Sequence, residues 1–178
     1  MKDIKSVSLH GVLMQIFNQG CLIIGESQSG KSELALSLLD RGHTLVADDA
    51  VDIFSCKDNM IHGRSHKLLK ELLEVRHLGV INVKDHFGPH AVTDTTRLDL
   101  MIKLKDDLHT EVDRLSPMMT THNLLGTDFV AYELYANSAR HLPILIETTV
   151  REHMLQQSGK NALRELKLAH NQQVRQPS

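Results

Sequence analysis

Several features that define whole classes of protein are scarce or absent in this sequence. Its two cysteines, Cys21 and Cys56, are too few for a disulfide framework and form no C-x-x-C motif, so we expect free thiols in a cytoplasmic protein. No apolar run approaches the roughly 20 residues of a membrane helix, and no secretory pattern follows Met1. A net charge of −2 gives no electrostatic case for binding nucleic acid. We therefore predict neither a membrane nor a nucleic-acid partner.

Histidine is abundant but forms no clear metal motif. Of 12 histidines, only the pairs His62/His66 and His86/His90 have the spacing H-x-x-x-H. Neither pair has nearby cysteines or an obvious third ligand, so the sequence does not predict a dedicated zinc site. Most of the histidines are expected at the surface.

The length and composition suit one globular domain. A chain of 178 residues with 41% hydrophobic content can bury a substantial core, and it contains no internal repeat or linker. We interpret residues 1–178 as a single domain. Residues 1–19 form its opening strands, and residues 158–178 form a C-terminal helix and a frayed tail.

The most informative segment is a glycine-rich loop between an apolar strand and a helix. Residues 25–32, GESQSGKS, fit G-x-x-x-x-G-K-[ST], the phosphate-binding loop. Its backbone N–H groups and the start of the following helix favour an anion, Lys31 can reach phosphate oxygens, and Ser32 can hold Mg²⁺. The alternative is a glycine turn before an ordinary helix. The predicted phosphate-binding residues are Gly25, Glu26, Ser27, Gln28, Ser29, Gly30, Lys31 and Ser32.

The remaining pattern predicts an α/β P-loop nucleotide-binding domain with a mixed β-sheet, flanking helices and C-terminal helices. We predict a break between two short strands at His10-Gly11, and turns or loops over residues 57–59, 84–89 and 105–123. The predicted strands cover residues 44–47, 50–54, 60–62, 80–83, 97–104 and 129–135. The predicted helices cover residues 31–40, 66–74, 142–157 and 161–170, with Gly42 capping the first.

Five further residues, in three parts of the chain, are candidates for chemistry, and each part has a structural alternative. Asp48 and Asp49 follow an apolar strand, where they could bind Mg²⁺ or accept a proton, or could simply form a polar turn. His10 could line the phosphate site or occupy a turn. Glu74 and Arg76 share a face of an extended segment, which suits a metal or phosphate site or a surface ion pair.

A series of motifs continues along most of the chain. They are residues 9–11 (LHG), 25–33 (GESQSGKSE), 40–43 (DRGH), 45–49 (LVADD), 72–76 (LLEVR), 78–83 (LGVINV), 87–88 (FG), 113–115 (DRL) and Arg140. The chain resembles, on these motifs, the catalytic domain of the bifunctional HPr kinase/phosphorylase family. The glycine-rich loop alone is common to many NTPases, whereas its combination with ADD and EVRxLGVINV is far more specific.

This resemblance implies an activity and roles for particular residues. It implies an ATP-dependent serine kinase of the phosphocarrier HPr or a relative, a reverse phosphorolysis that uses inorganic phosphate and yields pyrophosphate, a short form without the family's N-terminal domain, and hexameric assembly. Lys31 and the loop would bind ATP, and Ser32, Glu74 and Asp48 would hold Mg²⁺. Asp49 would accept the proton of the target serine and return it in the reverse reaction. His10 and Arg140 would line the phosphate site.

The sequence also departs from the family pattern. Gln28 and His77 stand where the family usually has glycine, and Ala139 replaces a glycine before Arg140. If the glycine at position 77 has a positive φ, His77 is a tolerable but strained replacement. The segment before Arg140 also lacks the family's usual Pro-Val-Lys run, so phosphorolysis is a weaker expectation than kinase chemistry.

Two other functions remain open at this point. The chain could be a P-loop kinase of a different substrate, or a nucleotide-sensing regulatory module without catalysis. Asp49, Glu74 and Arg140 distinguish an enzyme from such a module, and the sequence contains all three.

Overall fold

The computed structural model describes residues 5–56, 60–105, 116–135 and 141–174. The strands are β1 (Ser6–His10), β2 (Val12–Ile16), β3 (Gln19–Gly25), β4 (Thr44–Ala47), β5 (Ala50–Ser55), β6 (Ile61–Ser65), β7 (Leu72–Val75), β8 (Gly79–Asn82), β9 (Thr95–Arg97), β10 (Leu100–Lys105), β11 (Met119–Leu124) and β12 (Thr127–Tyr135). The helices are α1 (Lys31–Asp40), α2 (Val83–Phe87), α3 (Leu142–Gln157) and α4 (Ala162–Val174), and a 3-10 turn covers Pro89–Ala91.

A six-stranded mixed sheet positions the glycine-rich loop. Its strand order is β11-β12-β10-β3-β2-β4. Strand β10 is parallel to both β3 and β12, whereas β2 is antiparallel to β3 and β4. Strands β3, β4, β10 and β12 therefore all end at one edge of the sheet, and β2 begins there. The predicted mixed sheet, carrying both the loop and Asp48-Asp49, is confirmed.

A second, four-stranded sheet has the order β1-β5-β6-β9 and is antiparallel throughout. The chain passes from this sheet to the larger one at Gly11. A Cβ atom on Gly11 would lie 2.7 Å from the carbonyl oxygen of Ile23, so a larger residue would force the strands apart. The predicted break at His10-Gly11 is confirmed, and it is the point at which the chain changes sheets.

The two faces of the six-stranded sheet bury separate apolar clusters. Helices α1 and α3 cover one face, where Leu38 and Ile146 join Ile23 and Ile102. The four-stranded sheet supplies Val51 and Ile53 to the cluster on the other face. Because both faces are covered, the central strands form the rigid layer from which the loop projects.

The β7–β8 hairpin forms a separate two-stranded sheet beside α1. Its inward side chains, Leu73, Val75 and Ile81, are buried in the same cluster as α1. The hairpin is therefore fixed to the helix that follows the glycine-rich loop.

A cluster of charged and polar side chains around the buried Glu147 joins the end of α1 to α3. Arg41 Nε and Nη2 donate to the Glu147 carboxylate at 2.8 and 2.5 Å, and His43 Nε2 lies 2.9 Å from Glu147 Oε1. The hydrogen bonds from Arg41, with a smaller contribution from His43, lower the pKa of Glu147 to about 2 although burial acts in the opposite direction. Charge pairing thus holds α3 against the C-terminal end of α1.

Most of the predicted elements are present, and three predictions are wrong. Residues 66–74 are not a helix, because Leu72–Val75 forms β7 and only turns precede it. Val83–Phe87 is a helix where a loop was predicted, and Asn82 caps it by accepting a hydrogen bond from the Asp85 N–H at 3.1 Å. Met119–Leu124 is a strand within the segment predicted as a loop.

Other predictions differ in detail or fall outside the described residues. The predicted strand over residues 97–104 is divided between β9 and β10 by residues 98–99. The predicted turn over residues 57–59 and the larger part of the loop over residues 105–123 lie outside the described residues. In the part of the chain that the structure describes, no helix has the length and apolar content needed to cross a membrane.

Candidate active site

Lys31 lies inside the glycine-rich loop and is only 7% exposed. Its ammonium group donates to the carbonyl oxygens of Gly25 and Glu26, at 3.1 and 2.7 Å, and to Ser29 Oγ at 3.3 Å. The loop therefore wraps around the positive charge and holds it at the start of α1. A polyphosphate bound in the loop would offer the ammonium group stronger, charged acceptors.

Tight packing and unusual backbone angles shape this loop. A Cβ on Gly25 would lie 2.9 Å from Ser29 Oγ and 3.0 Å from the Leu104 carbonyl oxygen, so the loop requires glycine where it leaves β3. Gly30, the residue before α1, has φ 80°, and the exposed Gln28 has φ 68°. Gln28 therefore adopts a left-handed conformation that favours glycine, at a cost of about 1–2 kcal/mol. A glycine, which the resemblance leads us to expect at this position, would adopt this conformation without strain.

Asp48 is buried next to the loop, with 5% exposure. The Ser32 hydroxyl donates to its two oxygens at 3.1 and 3.4 Å, and the Glu74 N–H donates to Oδ2 at 3.1 Å. Burial raises the pKa of the Asp48 carboxyl, and these two donors only partly offset that effect. Asp48 thus links the first turn of α1 to the β7–β8 hairpin.

The donor atoms around Asp48 fit a magnesium ion. The Ser32 hydroxyl and the Asp48 carboxylate are oxygen ligands in contact with each other, beside a loop suited to phosphate. Mg²⁺ prefers few protein oxygens together with phosphate oxygens and water. Glu74 contributes its backbone to this arrangement, and its side chain is exposed. The structure therefore places Ser32 and Asp48 side by side, whereas the contact between Glu74 and Asp48 is made by the Glu74 backbone N–H.

Asp49 differs from its neighbour because it is exposed and its backbone is strained. Its φ is 67°, and the Ala50 N–H donates to the Asp48 carbonyl oxygen at 2.8 Å, which closes a three-residue turn around it. The Gly11 N–H donates to the Asp49 carbonyl oxygen at 3.1 Å. The backbone therefore holds this carboxylate at the open edge of the sheet.

His10 is the side-chain partner of Asp49. Its Nδ1 lies 2.9 Å from Asp49 Oδ1 and 3.1 Å from the Asp49 carbonyl oxygen, and the side chains are 54% and 63% exposed. The two residues come from β1 and from the turn after β4, so sequence spacing alone could not pair them. An exposed carboxylate beside an imidazole can accept a proton from an incoming hydroxyl group.

Arg76 is a further charged residue near this edge, for which the sequence left open a metal or phosphate site or a surface ion pair. Its Nε lies 4.0 Å from Glu33 Oε1, which places the arginine beside the first turn of α1. His77 follows with φ 66°, the positive angle that was expected if glycine is the usual residue there. In the sequence, the motif EVR already indicated a charged face, because Glu74 and Arg76 point to the same side of an extended segment.

Arg140, predicted to line the phosphate site, lies outside the described residues, and so do Ala139 and residues 113–115. The described part of β12 ends at Tyr135, which pairs in register with Lys105 of β10. Both residues belong to the edge of the sheet that carries the loop.

A separate groove of about 340 Å³ between β11, β12 and α3 contains none of the predicted site residues. Its polar groups bind one another: Tyr132 Oη lies 3.1 Å from His153 Nδ1, and Gln157 Nε2 donates to His153 Nε2 at 2.9 Å. Burial lowers the pKa of His153. This network packs α3 against the sheet, and the candidate chemistry lies at the loop edge.

Comparison with known proteins gives relatives that agree with one another. The chain is 38% identical over 170 residues to an HPr kinase/phosphorylase of Neisseria meningitidis, covering 94% of this chain and 53% of that protein. It is 39% identical over 173 residues to an HPr kinase/phosphorylase of Chromobacterium violaceum, covering 96% of this chain and 54% of that protein. The chain thus spans about half the length of these curated relatives.

A solved structure agrees with these sequences. It is the Hpr(Ser) kinase/phosphatase from Coxiella burnetii, which has a TM-score of 0.79 and 34% sequence identity and covers 85% of this chain and 99% of its own. The family model described as the HPr Serine kinase C-terminal domain matches residues 3–170. The chain therefore belongs to the HPr serine kinase C-terminal domain family.

Proposed function

We propose that this chain is an ATP-dependent protein-serine kinase whose substrate is HPr or an HPr-like phosphocarrier. The observation that carries the proposal is the arrangement of two adjacent carboxylates at one edge of the sheet. Asp48 is buried against Ser32 at the loop, while Asp49 is exposed beside His10. This arrangement suits a metal ligand and a proton acceptor, respectively.

In the forward reaction, the serine oxygen of the acceptor protein attacks the γ-phosphorus of ATP, and the bond from that phosphorus to ADP breaks. Asp49 accepts the serine proton, and His10 orients and stabilises Asp49. Lys31 and the loop N–H groups bind the phosphate oxygens and neutralise charge. When bound by Ser32, Asp48 and Glu74, Mg²⁺ supplies further positive charge at the phosphates.

We also propose the reverse reaction, in which inorganic phosphate attacks the phosphorus of the phosphoserine. The bond to the serine oxygen breaks and pyrophosphate forms. Asp49 accepts the proton of the attacking hydrogen phosphate and delivers it to the leaving serine oxygen, because one carboxyl group can exchange a proton with the same oxygen in both directions. Arg140 is proposed to bind the attacking phosphate.

The assembly and location are further proposals based on the family. We propose that the chain forms a hexamer in the cytoplasm, where ATP is available. Sedimentation of the purified protein tests the hexamer, and a monomeric mass at micromolar concentration would contradict it.

The direct test is incubation of purified HPr with the protein and ATP·Mg²⁺, followed by mass spectrometry of the modified residue. We expect one phosphoserine, and a greatly reduced rate of its formation when Lys31 is replaced by alanine. A second incubation with phosphoserine-HPr and inorganic phosphate tests phosphorolysis, with pyrophosphate as the expected product. If HPr is not modified while ATP is turned over on another acceptor, the alternative of a P-loop kinase with a different substrate is correct.

A further inference from the structure

Gln28 lies at the tip of the phosphate loop, in a backbone conformation that favours glycine. The Ser29 N–H donates to the Glu26 carbonyl oxygen at 3.3 Å, which closes a β-turn with Ser27 and Gln28 at its centre. Gln28 is the third residue of this turn and has φ 68°, where glycine or asparagine is usual. The loop therefore carries a side chain at a position where a residue without a Cβ would be free of strain.

Steric space does not explain which positions of this loop carry a side chain. At Gly25, a Cβ would lie 2.9 Å from Ser29 Oγ, so a side chain is excluded there. Gly30 has φ 80°, and a Cβ on it would meet no heavy atom of the described residues within 4 Å, yet the residue is glycine. Gln28 has a similar φ and carries a long, exposed side chain. Two left-handed positions of one loop thus differ, and the one under strain carries a carboxamide group.

The turn that contains Gln28 is held against the charge predicted to bind phosphate. The Lys31 ammonium group donates at 2.7 Å to the Glu26 carbonyl oxygen, the same atom that closes the turn. It also donates at 3.3 Å to Ser29 Oγ, on the residue that follows Gln28. Both ends of the turn therefore contact the ammonium group, and a phosphate group that binds Lys31 lies beside the turn.

The chemistry of the Gln28 side chain suits a phosphate ligand. A carboxamide has two N–H donors and no charge, so it can donate to an anion without repelling Lys31. Hydrogen bonds to charged acceptors are stronger than those between neutral groups. No residue that the structure describes forms a hydrogen bond with this carboxamide. Strained non-glycine residues of this kind occur where a structure holds a group ready for a ligand.

We propose that Gln28 binds the nucleotide directly, with its carboxamide N–H groups donating to the phosphate oxygens that Lys31 binds. The side chain supplies a contact that a glycine at this position lacks, and it makes Gln28 a determinant of the affinity for polyphosphate ligands. This inference rests on the proposed kinase function, because it assigns a further contact to the nucleotide site of that reaction.

The test is calorimetric titration of the purified chain with ADP and, separately, with pyrophosphate, each in the presence of Mg²⁺. Gln28→Ala keeps the Cβ, and with it the backbone strain, but removes the carboxamide. We expect its Kd for both ligands to rise about tenfold, as for loss of a hydrogen bond to a charged group. Gln28→Glu keeps the shape of the side chain and should raise both Kd values further, because a carboxylate repels phosphate.

Gln28→Gly separates backbone strain from ligand binding. Glycine removes the strain, so we expect Tm to rise by about 2–4 °C, while Kd for both ligands rises as it does in Gln28→Ala. A purely structural role would not weaken binding in a more stable protein. The matched control is Asn18→Gly, because Asn18 is another exposed amide with a positive φ, at 62°. It lies in the turn before β3, at the other end of the strand that leads into the loop, so its Kd values should not change.

Three results would overturn the inference alone. The first is an unchanged Kd for both ligands in Gln28→Ala. The second is tighter binding of pyrophosphate by Gln28→Gly, which would show that the side chain obstructs the loop. The third is a raised Kd for ADP without a raised Kd for pyrophosphate, which would assign Gln28 to the nucleoside. If the wild type bound neither ligand, the nucleotide site would be wrong, and with it both the proposed kinase function and the role of Gln28.

Discussion

The two ends of helix α1 are built in opposite ways. At its N-terminal end, the loop, Asp49 and His10 form an open edge, and non-glycine residues there have positive φ angles. At its C-terminal end, the positive φ belongs to Gly42, and Glu147 is buried with both of its oxygens bound. Both ends contain acidic and basic side chains.

The difference separates the charged groups that we propose to serve chemistry from those that serve stability. At the C-terminal end, the charges of Arg41 and Glu147 neutralise one another, and the Glu147 carboxylate is buried. At the N-terminal end, backbone strain and exposure persist in Gln28 and Asp49, although each costs stability. Such costs are common where a site must be held ready for a ligand.

The largest expected effect is on catalysis by Asp49→Asn. Removing the proton acceptor should lower phosphorylation and phosphorolysis by about 10²–10⁴-fold, while nucleotide binding is retained. Asparagine tolerates the positive φ of 67°, so the fold should remain intact. Rates measured with HPr, together with nucleotide titration, test this. Asp52→Asn, the same change on β5, is the control, and a wild-type rate for Asp49→Asn would exclude Asp49 as the base.

Lys31→Ala should have the next largest effect. Loss of the ammonium group removes the charge that the loop holds for phosphate, and we expect kcat to fall about 10²–10³-fold. Thermal unfolding followed by circular dichroism should show that the variant is folded. The exposed Lys160, replaced by alanine, serves as the control. Near-normal turnover of Lys31→Ala would contradict the assignment of the phosphate loop.

Glu147→Gln tests the opposite end of α1, where we expect a change in stability without a change in chemistry. Because it breaks a buried ion pair, the free energy of unfolding at pH 7 should fall by about 3 kcal/mol. Urea unfolding measures this, with Glu165→Gln at an exposed position of α4 as the control. If Glu147→Gln abolished phosphoryl transfer in the folded protein, the assignment of stability to the C-terminal end of α1 and of chemistry to its N-terminal end would be wrong.

The same pair predicts a dependence on pH. The pKa of Glu147 is lowered from 4.5 to about 2 in the folded protein, so its contribution is fully present above pH 4.5 and is lost as pH falls toward 2. The stability difference between wild type and Glu147→Gln should therefore shrink when urea unfolding is repeated from pH 7 down to pH 3.5. A difference that stays constant over this range would contradict the charge-based explanation.

The smallest expected effect concerns backbone strain at the functional end. His77→Gly should raise the free energy of unfolding by up to about 1 kcal/mol, because glycine accepts the φ of 66° without strain. His66→Gly changes the same residue type at a position where φ is not positive, so it should be neutral or destabilising. Thermal melting compares the two. Destabilisation by His77→Gly would show that the imidazole makes a contact that outweighs the strain.

Local sequence signals predicted the elements whose residues bury one face. The helix over Lys31–Asp40 and the strand over Thr44–Ala47 were both predicted correctly, because the apolar spacing and the positions of the flanking glycines indicate the same boundaries there. Strand β11 was not predicted because five of its six side chains are exposed, so neither face of the strand shows an apolar pattern. Its stability comes from hydrogen bonds to β12, which leave no periodic pattern in the sequence.

The predicted helix over residues 66–74 failed for a related reason. Leucines 68, 69, 72 and 73 have helical spacing, yet Leu73 is buried by pairing of β7 with β8, and Leu68 is 81% exposed. Pairing of Leu73 with Ile81, eight residues away, outweighed the local preference. Tertiary contacts decided the conformation of this segment, which carries Glu74.

The sequence by itself determined the phosphate loop, the strand before it and the helix after it, because glycine placement and apolar spacing act over a few residues. It also supplied the motifs that identify the family. Only the tertiary structure decided that Asp48 is buried against Ser32 while Asp49 faces His10 at an open edge. Because Asp48 and Asp49 are adjacent in the sequence, the sequence alone does not distinguish the surroundings of the two carboxylates. Their different surroundings come from strands β1, β3 and β4 and from the hairpin at Glu74, which meet through long-range pairing.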